Sequence, residues 1–223
     1  ITSTGTIGDV TGNGSNDQIT VTNVAASSIG NIYGNAGDDT ITVVNTKSVT
    51  SAIDGSTNVD ASPENDKFIL TGENENLNFS KITAFESVKG TGGNHTLTKN
   101  DGSNVWVVDG INSGHVTTSG TKVSFIDFAN LVGGDADDEF TVSGTIGDVT
   151  GSGGNDQITV TNTAANSIGS ITGGAGDDTV SLVNIANATG VIQGGLNSDT
   201  LELTGTDETL KLADIIGFET VKT

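Results

Sequence analysis

Short runs of alternating apolar and polar residues recur along the chain, each directly after an aspartate. After Asp156, for example, Ile158 and Val160 are apolar while their neighbours are polar. This period of two is typical of a β-strand with one buried face. An Asn or a Gly stands six residues after each aspartate, and both residue types tolerate the positive φ of a turn. The aspartates that begin such runs are Asp17, Asp39, Asp66, Asp138, Asp156, Asp178 and Asp199.

A second apolar pair, with its members three residues apart, lies upstream of these runs. The pairs are Ile7/Val10, Ile29/Ile32, Phe85/Val88, Phe128/Leu131, Ile146/Val149, Ile168/Ile171 and Phe218/Val221. Each coil therefore contains a strand, a Gly-rich loop with its Asp, a second strand and a turn. Such a coil is too small to bury its own apolar face and must stack on its neighbours. The pattern predicts an all-β, parallel β-helix or β-roll-like solenoid with about 18–22 residues per coil and one Gly/Asp loop per coil.

The chain also contains a long internal repeat. Residues 5–45 match residues 144–184 without a gap, with 31 of 41 positions identical. Residues 68–89 match residues 201–222 in the same way. The repeat unit is therefore about 139 residues long. We divide the chain into 1–89, the β-solenoid coils in the first part of unit 1; 90–139, irregular coils with an insertion; and 140–223, the coils of a partial unit 2.

The middle of the chain is less regular. His95 and Asn104 take the place of the aspartate in two loops, and Trp106 follows at an inward-facing position. We expect Trp106 to pack in the core. The coil between 109 and 127 is longer, and within it INSGHVTTSGTKVSF at 111–125 is expected to form a protruding hairpin.

The composition restricts the classes of partner. The chain has 28 acidic and 8 basic residues, a formal net charge of −20, and its basic residues are all lysines. Nucleic acids and anionic membrane surfaces require clustered Lys and Arg, so neither is expected as a partner. No apolar run is as long as a transmembrane helix and there is no cysteine. We therefore expect neither membrane insertion nor disulfide bonds.

The Gly/Asp loops resemble a known family. The stretch GGAGDDTVS at 173–181 matches every fixed position of the G-G-x-G-x-D-x-U-x nonapeptide of repeats-in-toxin proteins. The stretches at 34–42 and 151–159 depart from it only at the second Gly. FANLVGGDADDEFTV at 128–142 is similar to a pattern of very large, repetitive bacterial adhesins. The resemblance implies a Ca²⁺-binding parallel β-solenoid that is secreted or attached to the bacterial cell surface.

The resemblance also implies candidate Ca²⁺ ligands. Ca²⁺ takes six to eight oxygen ligands, which Asp carboxylates and the carbonyls of glycine loops can supply. Since this chain has one loop per coil where the family has two, the calcium density is expected to be at most half. The candidate carboxylates are Asp138, Asp156, Asp178, Asp199, Asp17 and Asp39. The candidate carbonyl donors are Gly34, Gly37, Gly133, Gly151, Gly154, Gly173, Gly176 and Gly194.

One alternative for these loops needs no metal. Each Asp would then cap neighbouring backbone N–H groups and stack in a ladder. In either case, four further aspartates of the same loops are expected to be solvated charges and not ligands. They are Asp38, Asp135, Asp137 and Asp177.

Catalysis is not expected. The chain has no arginine and two histidines, His95 and His115, both expected to be surface or turn residues. It also lacks the motifs of serine hydrolases and of zinc proteases.

The repeat and the resemblance favour a structural role on the cell surface or in a biofilm matrix. The chain would extend, space or assemble as a fibre, stiffened by Ca²⁺ and self-associating or stacking on neighbouring repeats. An alternative is a module that binds glycans or other cells. A remote alternative is an ice-binding solenoid, because the outward position three residues after the Asp holds Thr20, Thr42, Thr141 and Thr159.

Overall fold

The computed structural model describes residues 2–3, 7–23, 30–44, 52–55, 65–73, 75–100, 102–161, 168–184, 190–205 and 214–223. These residues form β-strands joined by loops, with a 3-10 helix at Phe79–Lys81 and no α-helix among them. Ile29, Asn45, Asn162 and most of the segment between Asp54 and Asp66 lie outside the described residues. In chain order the strands are β1 (Thr2–Ser3), β2 (Val10–Thr11), β3 (Gln18–Asn23), β4 (Ile32–Tyr33), β5 (Thr40–Val44), β6 (Ile53–Asp54), β7 (Lys67–Thr71), β8 (Asn76–Asn78), β9 (Ile82–Thr83), β10 (Ser87–Thr91), β11 (His95–Thr98), β12 (Asn104–Val108), β13 (Ser113–Thr118), β14 (Thr121–Ile126), β15 (Phe128–Gly134), β16 (Glu139–Val142), β17 (Val149–Gly153), β18 (Gln157–Thr161), β19 (Ile171–Ala175), β20 (Thr179–Val183), β21 (Ile192–Leu196), β22 (Thr200–Thr204), β23 (Ile215–Ile216) and β24 (Thr220–Lys222).

The chain folds into two compact units. Unit 1 comprises Ile1–Leu97 and Val123–Phe128. In its main sheet β1, β3, β5, β7, β10 and β14 pair in that order, all parallel. A second parallel sheet contains β2, β4, β6 and β9, and β8 lies beside β11 in a third. The predicted β-solenoid of stacked parallel coils is confirmed in this unit.

Unit 2 comprises Thr98–Lys122 and Ala129–Thr223 and has the same construction. In its main sheet β12, β16, β18, β20, β22 and β24 pair in parallel, and β13 pairs with β12 in antiparallel orientation. The other sheet stacks β15, β17, β19, β21 and β23. Successive coils are joined mainly at equivalent residues, so one Gly/Asp loop lies directly on the next.

The inward-facing side chains stack into apolar columns in each unit, as the alternation predicts. Parallel register aligns Ile19, Ile41, Phe68, Val88 and Phe125 in unit 1. It aligns Trp106, Phe140, Ile158, Val180, Leu201 and Val221 in unit 2. Trp106 is fully buried, as expected, and its ring stacks on Phe140 with planes 4° apart and centroids at 5.6 Å. These columns hold the loops at a fixed spacing.

For two of the upstream apolar pairs, the sequence predicts the wrong sheet. Val88 and Val221 lie in β10 and β24, which pair with β7 and β22. They therefore belong to the main sheets that carry the Asp loops. The sequence pattern missed this because a glutamate, and not an aspartate, precedes each of these strands.

The segment 109–127 does not protrude as predicted. Ser113–Thr118 pairs with β12, and Ser124–Ile126 pairs in parallel with Ser87–Lys89. Val116 and Phe125 are buried. The segment is thus part of the sheets, because its own alternating side chains contribute to the cores.

Candidate functional site

The Gly/Asp loops place their aspartates in two hydrogen-bonded columns. In each step the backbone N–H of one aspartate donates to Oδ1 of the aspartate in the following coil. The N···Oδ1 distance is 2.8 Å from Asp156 to Asp178 and 2.9 Å from Asp178 to Asp199. We call the unit 1 set, Asp17, Asp39, Asp66 and Glu86, the first aspartate column. The second aspartate column is Asn104, Asp138, Asp156, Asp178, Asp199 and Glu219.

The carboxylate of each coil completes the backbone pairing of the coil before it. The residue after each aspartate donates its N–H to the carbonyl of the preceding aspartate, as Gln157 does to Asp138 at 2.9 Å. The aspartate's own N–H faces the next coil and donates to the carboxylate oxygen of the aspartate there. Since a buried N–H without an acceptor is costly, this side chain removes a penalty at every loop. The local arrangement is therefore the backbone-capping ladder described above as the alternative that needs no metal.

The first glycine of each loop is required by the carboxylate. A Cβ atom at Gly151 would lie 2.0 Å from Asp156 Oδ2 and 2.7 Å from the carbonyl oxygen of Gly173. Equivalent contacts of 2.2–2.6 Å to the Asp Oδ2 atom occur at the other first glycines, Gly34, Gly133, Gly173 and Gly194. A different reason applies to the later glycines Gly37, Gly154 and Gly176, whose φ angles are 118°, 101° and 135°. Their backbone conformation is one that residues with a Cβ rarely adopt.

Both columns end in a glutamate that the sequence analysis did not single out. Asp66 N donates to Glu86 Oε2, and Asp199 N donates to Glu219 Oε2, each at 2.7 Å. The N–H of Glu219 donates to the carbonyl of Asp199, in the preceding coil, at 3.1 Å. Each glutamate therefore accepts the last bond of its column, while its own N–H is already satisfied within the unit. The signal was present, since Glu-Ser-Val and Glu-Thr-Val follow the same acid–polar–apolar order as the Asp loops.

Asn104 and His95 occupy the aspartate place, as predicted. Asn104 belongs to the second column, and its Nδ2 donates to Asp138 Oδ1 at 2.9 Å and to the carbonyl of Gly102 at 2.9 Å. His95 also caps a backbone N–H. It lies beside β8, and its Nδ1 accepts a hydrogen bond from the N–H of Glu75 at 3.3 Å. The prediction that His95 is a surface or turn residue is wrong, because it is fully buried at the start of β11. His115 is half-buried in β13.

The residues preceding the column aspartates form a second, outer ladder. Asp38, Asp137 and Asp177 are exposed, as expected for solvated charges. Their Oδ1 atoms also accept backbone N–H groups of the following coil, from Asn65, Asn155 and Ser198, at 2.9, 2.7 and 3.0 Å. Asp135 is also exposed. The outer acids are therefore bonded to the backbone as well as solvated.

Burial changes the acidity of the second column. Burial, with the neighbouring charges of Asp178 and Asp138 in addition, raises the pKa of Asp156 from 3.8 to about 7. Burial is also the first cause of the raised pKa of Asp138, Asp178 and Asp199. The Oδ2 atoms of Asp156, Asp178 and Asp199 are buried without a hydrogen-bond partner. Burial therefore opposes ionisation of these four carboxyls.

The column can be compared with what a calcium site requires. Oδ1 of each Asp from Asp156 to Asp199 accepts a backbone N–H, and Oδ2 lies against a glycine. Within the described ranges no three His, Cys, Asp or Glu side chains form a group able to hold a metal. The buried carboxyls as arranged cap backbone N–H groups. Calcium binding by the Gly/Asp loops stays a prediction.

The outward row proposed for ice binding is aligned by the sheet register. Thr20 lies beside Thr42, and Thr141 beside Thr159, with Ser181 and Glu202 continuing the second row. Ice binding stays a prediction.

In the described ranges, the structure contains no helix with the length and hydrophobicity that a membrane crossing requires. Comparisons with protein-family models, with curated proteins and with solved structures gave no significant match to this chain.

Proposed function

We propose that this chain is a structural segment of a secreted or cell-surface bacterial repeat protein, whose stacked coils space or assemble the parent molecule. The observation that carries the proposal is the stacking of like residues on like. In unit 2, Ile158 lies on Val180 and Val180 on Leu201, while Asp156 is bonded to Asp178. A stack of this kind can be lengthened coil by coil without a new type of contact.

The energetics of the stack support a mechanical role. Each coil contributes a parallel strand ladder, an apolar rung and one aspartate-to-backbone bond to the next coil. In such solenoids stability is close to a sum of nearest-neighbour terms. An added coil therefore extends the segment and strengthens it by the same increment. This additivity suits a spacer.

The secreted location and the calcium stiffener belong to the same proposal and depend on the resemblance to repeats-in-toxin and adhesin repeats. The −20 net charge is consistent with cations near the loops, because close carboxylates repel one another. Surface location is tested by antibody labelling and protease sensitivity of the parent protein on intact cells of the source organism.

The spacer role is tested by removing one whole coil. Deletion of residues 157–178 joins Asp156 to Thr179, which takes the place of Gln157 because the two residues are aligned in the sheet. We expect a folded chain, shown by circular dichroism, with a shorter contour length in single-molecule pulling. The matched control deletes only residues 157–167, which breaks the register and is expected to unfold the coils that follow.

Two outcomes contradict the proposal. One is that the whole-coil deletion unfolds unit 2 as fully as the half-coil deletion does. The other is saturable binding of a defined glycan on an array, lost on deletion of a single coil, which would favour the binding-module alternative.

A further inference from the structure

The first Gly/Asp loop contains the one asparagine–glycine dipeptide of the sequence, Asn13–Gly14. Both residues are exposed, and they follow β2 without belonging to a strand. The equivalent residues of the second copy are Ser152 and Gly153, which lie within β17. The two copies therefore differ here in side-chain chemistry and in how firmly the sheet holds the backbone.

An asparagine amide can react with the backbone nitrogen of the residue that follows it. At this dipeptide the Gly14 nitrogen would bond to Cγ of Asn13, and Nδ2 would leave as ammonia with the proton that the nitrogen gives up. The product is a cyclic succinimide, which water opens at either carbonyl to give aspartate or isoaspartate. A side chain on the second residue hinders the attack, and glycine has none.

The surroundings of Asn13 leave this reaction open. A Cβ at Gly14 would meet nothing within 4 Å, so the attacking nitrogen lies in an uncrowded place. Among the described residues, the Gly14 N–H donates to no backbone carbonyl. The leaving amide is held by one long contact, 3.5 Å from Asn13 Nδ2 to Asp17 Oδ1.

Asparagines of the outer ladder are also exposed, but the column protects them. For Asn155 the attacking nitrogen would be that of Asp156, whose N–H donates to Asp178 Oδ1 at 2.8 Å. Asn155 Oδ1 itself accepts the N–H of Asp177 at 2.8 Å. The nitrogen that follows Asn16 is held in the same way by the first column. The structure therefore separates one reactive asparagine from others of equal exposure.

We propose that Asn13 is a self-modification site, which the folded chain converts through a succinimide with Gly14 to aspartate and isoaspartate. The reaction consumes water and releases ammonia. It acts on the first aspartate column, because the Asn13 N–H donates to Asp17 Oδ2 at 2.7 Å. Conversion places a second carboxylate beside Asp17, and isoaspartate adds one carbon to the backbone at this bond. Modification therefore loosens the beginning of the column.

The test incubates the 223-residue chain at pH 8 and locates converted residues by peptide mapping with mass spectrometry. Asn13 is expected to convert in the folded chain, whereas Asn155 is expected to convert only when urea unfolds it. G14A, which has room for its methyl group, is expected to slow conversion severalfold. N13S introduces the residue of the second copy and is expected to abolish it. Circular dichroism verifies that both variants are folded.

Two further measurements are independent of the mapping. Hydroxylamine opens a succinimide and is expected to cleave the aged, folded chain after Asn13. The variant N13D is expected to melt at a lower temperature than N13S, because only N13D adds a charge beside Asp17. Absence of conversion at Asn13 in the folded chain overturns the proposal, as does equal conversion of Asn155. Equal melting temperatures of N13D and N13S would overturn the effect on the column.

Discussion

The backbone N–H of Asp156 donates to Oδ1 of Asp178 across 2.8 Å, although the two residues are 22 positions apart. This bond ties two coils together at a point where the strand ladder alone would leave a buried donor without an acceptor. The same bond is repeated along both columns, so its contribution to stability can be tested directly at a single loop.

Replacement of Asp178 separates the capping bond from the charge. In D178L the N–H of Asp156 loses its acceptor, and we expect a loss of about 1–3 kcal/mol in unfolding free energy. In D178N the side-chain carbonyl keeps the acceptor, so a smaller loss is expected. Urea unfolding measures both. Equal stability of the two variants would show that the bond contributes nothing.

The second column predicts an unusual dependence of stability on pH. Burial raises the pKa of Asp156 to about 7 in the folded chain, above the 3.8 expected when unfolded. Its contribution to stability is therefore complete below about pH 4 and is lost as pH rises through about 7. We expect the melting temperature to rise when the pH is lowered from 8 to 5.

A matched pair of variants distinguishes this effect from general charge repulsion. D156N removes the column carboxyl whose pKa is raised to about 7, and D135N removes one exposed acid. The slope of melting temperature against pH should flatten in D156N and stay close to that of the parent in D135N. Identical slopes in the two variants would contradict the assignment.

The close approach of glycine to the column is tested in unit 1. A Cβ at Gly34 would lie 2.2 Å from both Asp39 Oδ2 and the Gly55 carbonyl oxygen, whereas nothing lies within 4 Å of one at Gly14. We expect G34A to destabilise the fold by about 1–3 kcal/mol, since backbone must shift. G14A should be neutral or slightly stabilising. Chemical unfolding of both proteins is the measurement, and a G34A protein as stable as G14A would refute the packing argument.

Calcium is tested by thermal melting with and without the ion. Because the described column carboxyls have donors within the chain, we expect the β circular-dichroism signal to persist in EGTA. The calcium hypothesis further predicts that millimolar Ca²⁺ raises the melting temperature. An unchanged melting temperature would contradict calcium binding by the loops, and loss of the β signal in EGTA would contradict the capping argument.

Most of the fold could be predicted from local pattern. The alternation after Asp156 and Asp178 identifies the strands and their buried faces, because the period of two leaves one solution for which side chains are inside. The hairpin segment was mispredicted for a different reason. The pairing of Phe125 with Val88 joins residues 37 positions apart, and no local pattern specifies such a partner.

The sequence predicts where the loop aspartates lie, but not which atoms their carboxyls contact. The sequence places the aspartates of the loops in one column, and the structure brings them together in that order. Which atoms each carboxyl meets depends on the inward direction of the side chain and on the backbone of the next coil. Glu86 and Glu219 were missed because the pattern was anchored on aspartate alone.

The aspartate column has a direction, and this bears on how the chain is made. Each N–H is satisfied by a side chain that lies 18 to 34 residues later, so on the ribosome one coil becomes complete only when the next has emerged. Glu86 ends this dependence, because its N–H bonds back to Asp66, which was synthesised earlier. The hydrogen bonds of the first column are therefore complete once residue 86 has been synthesised.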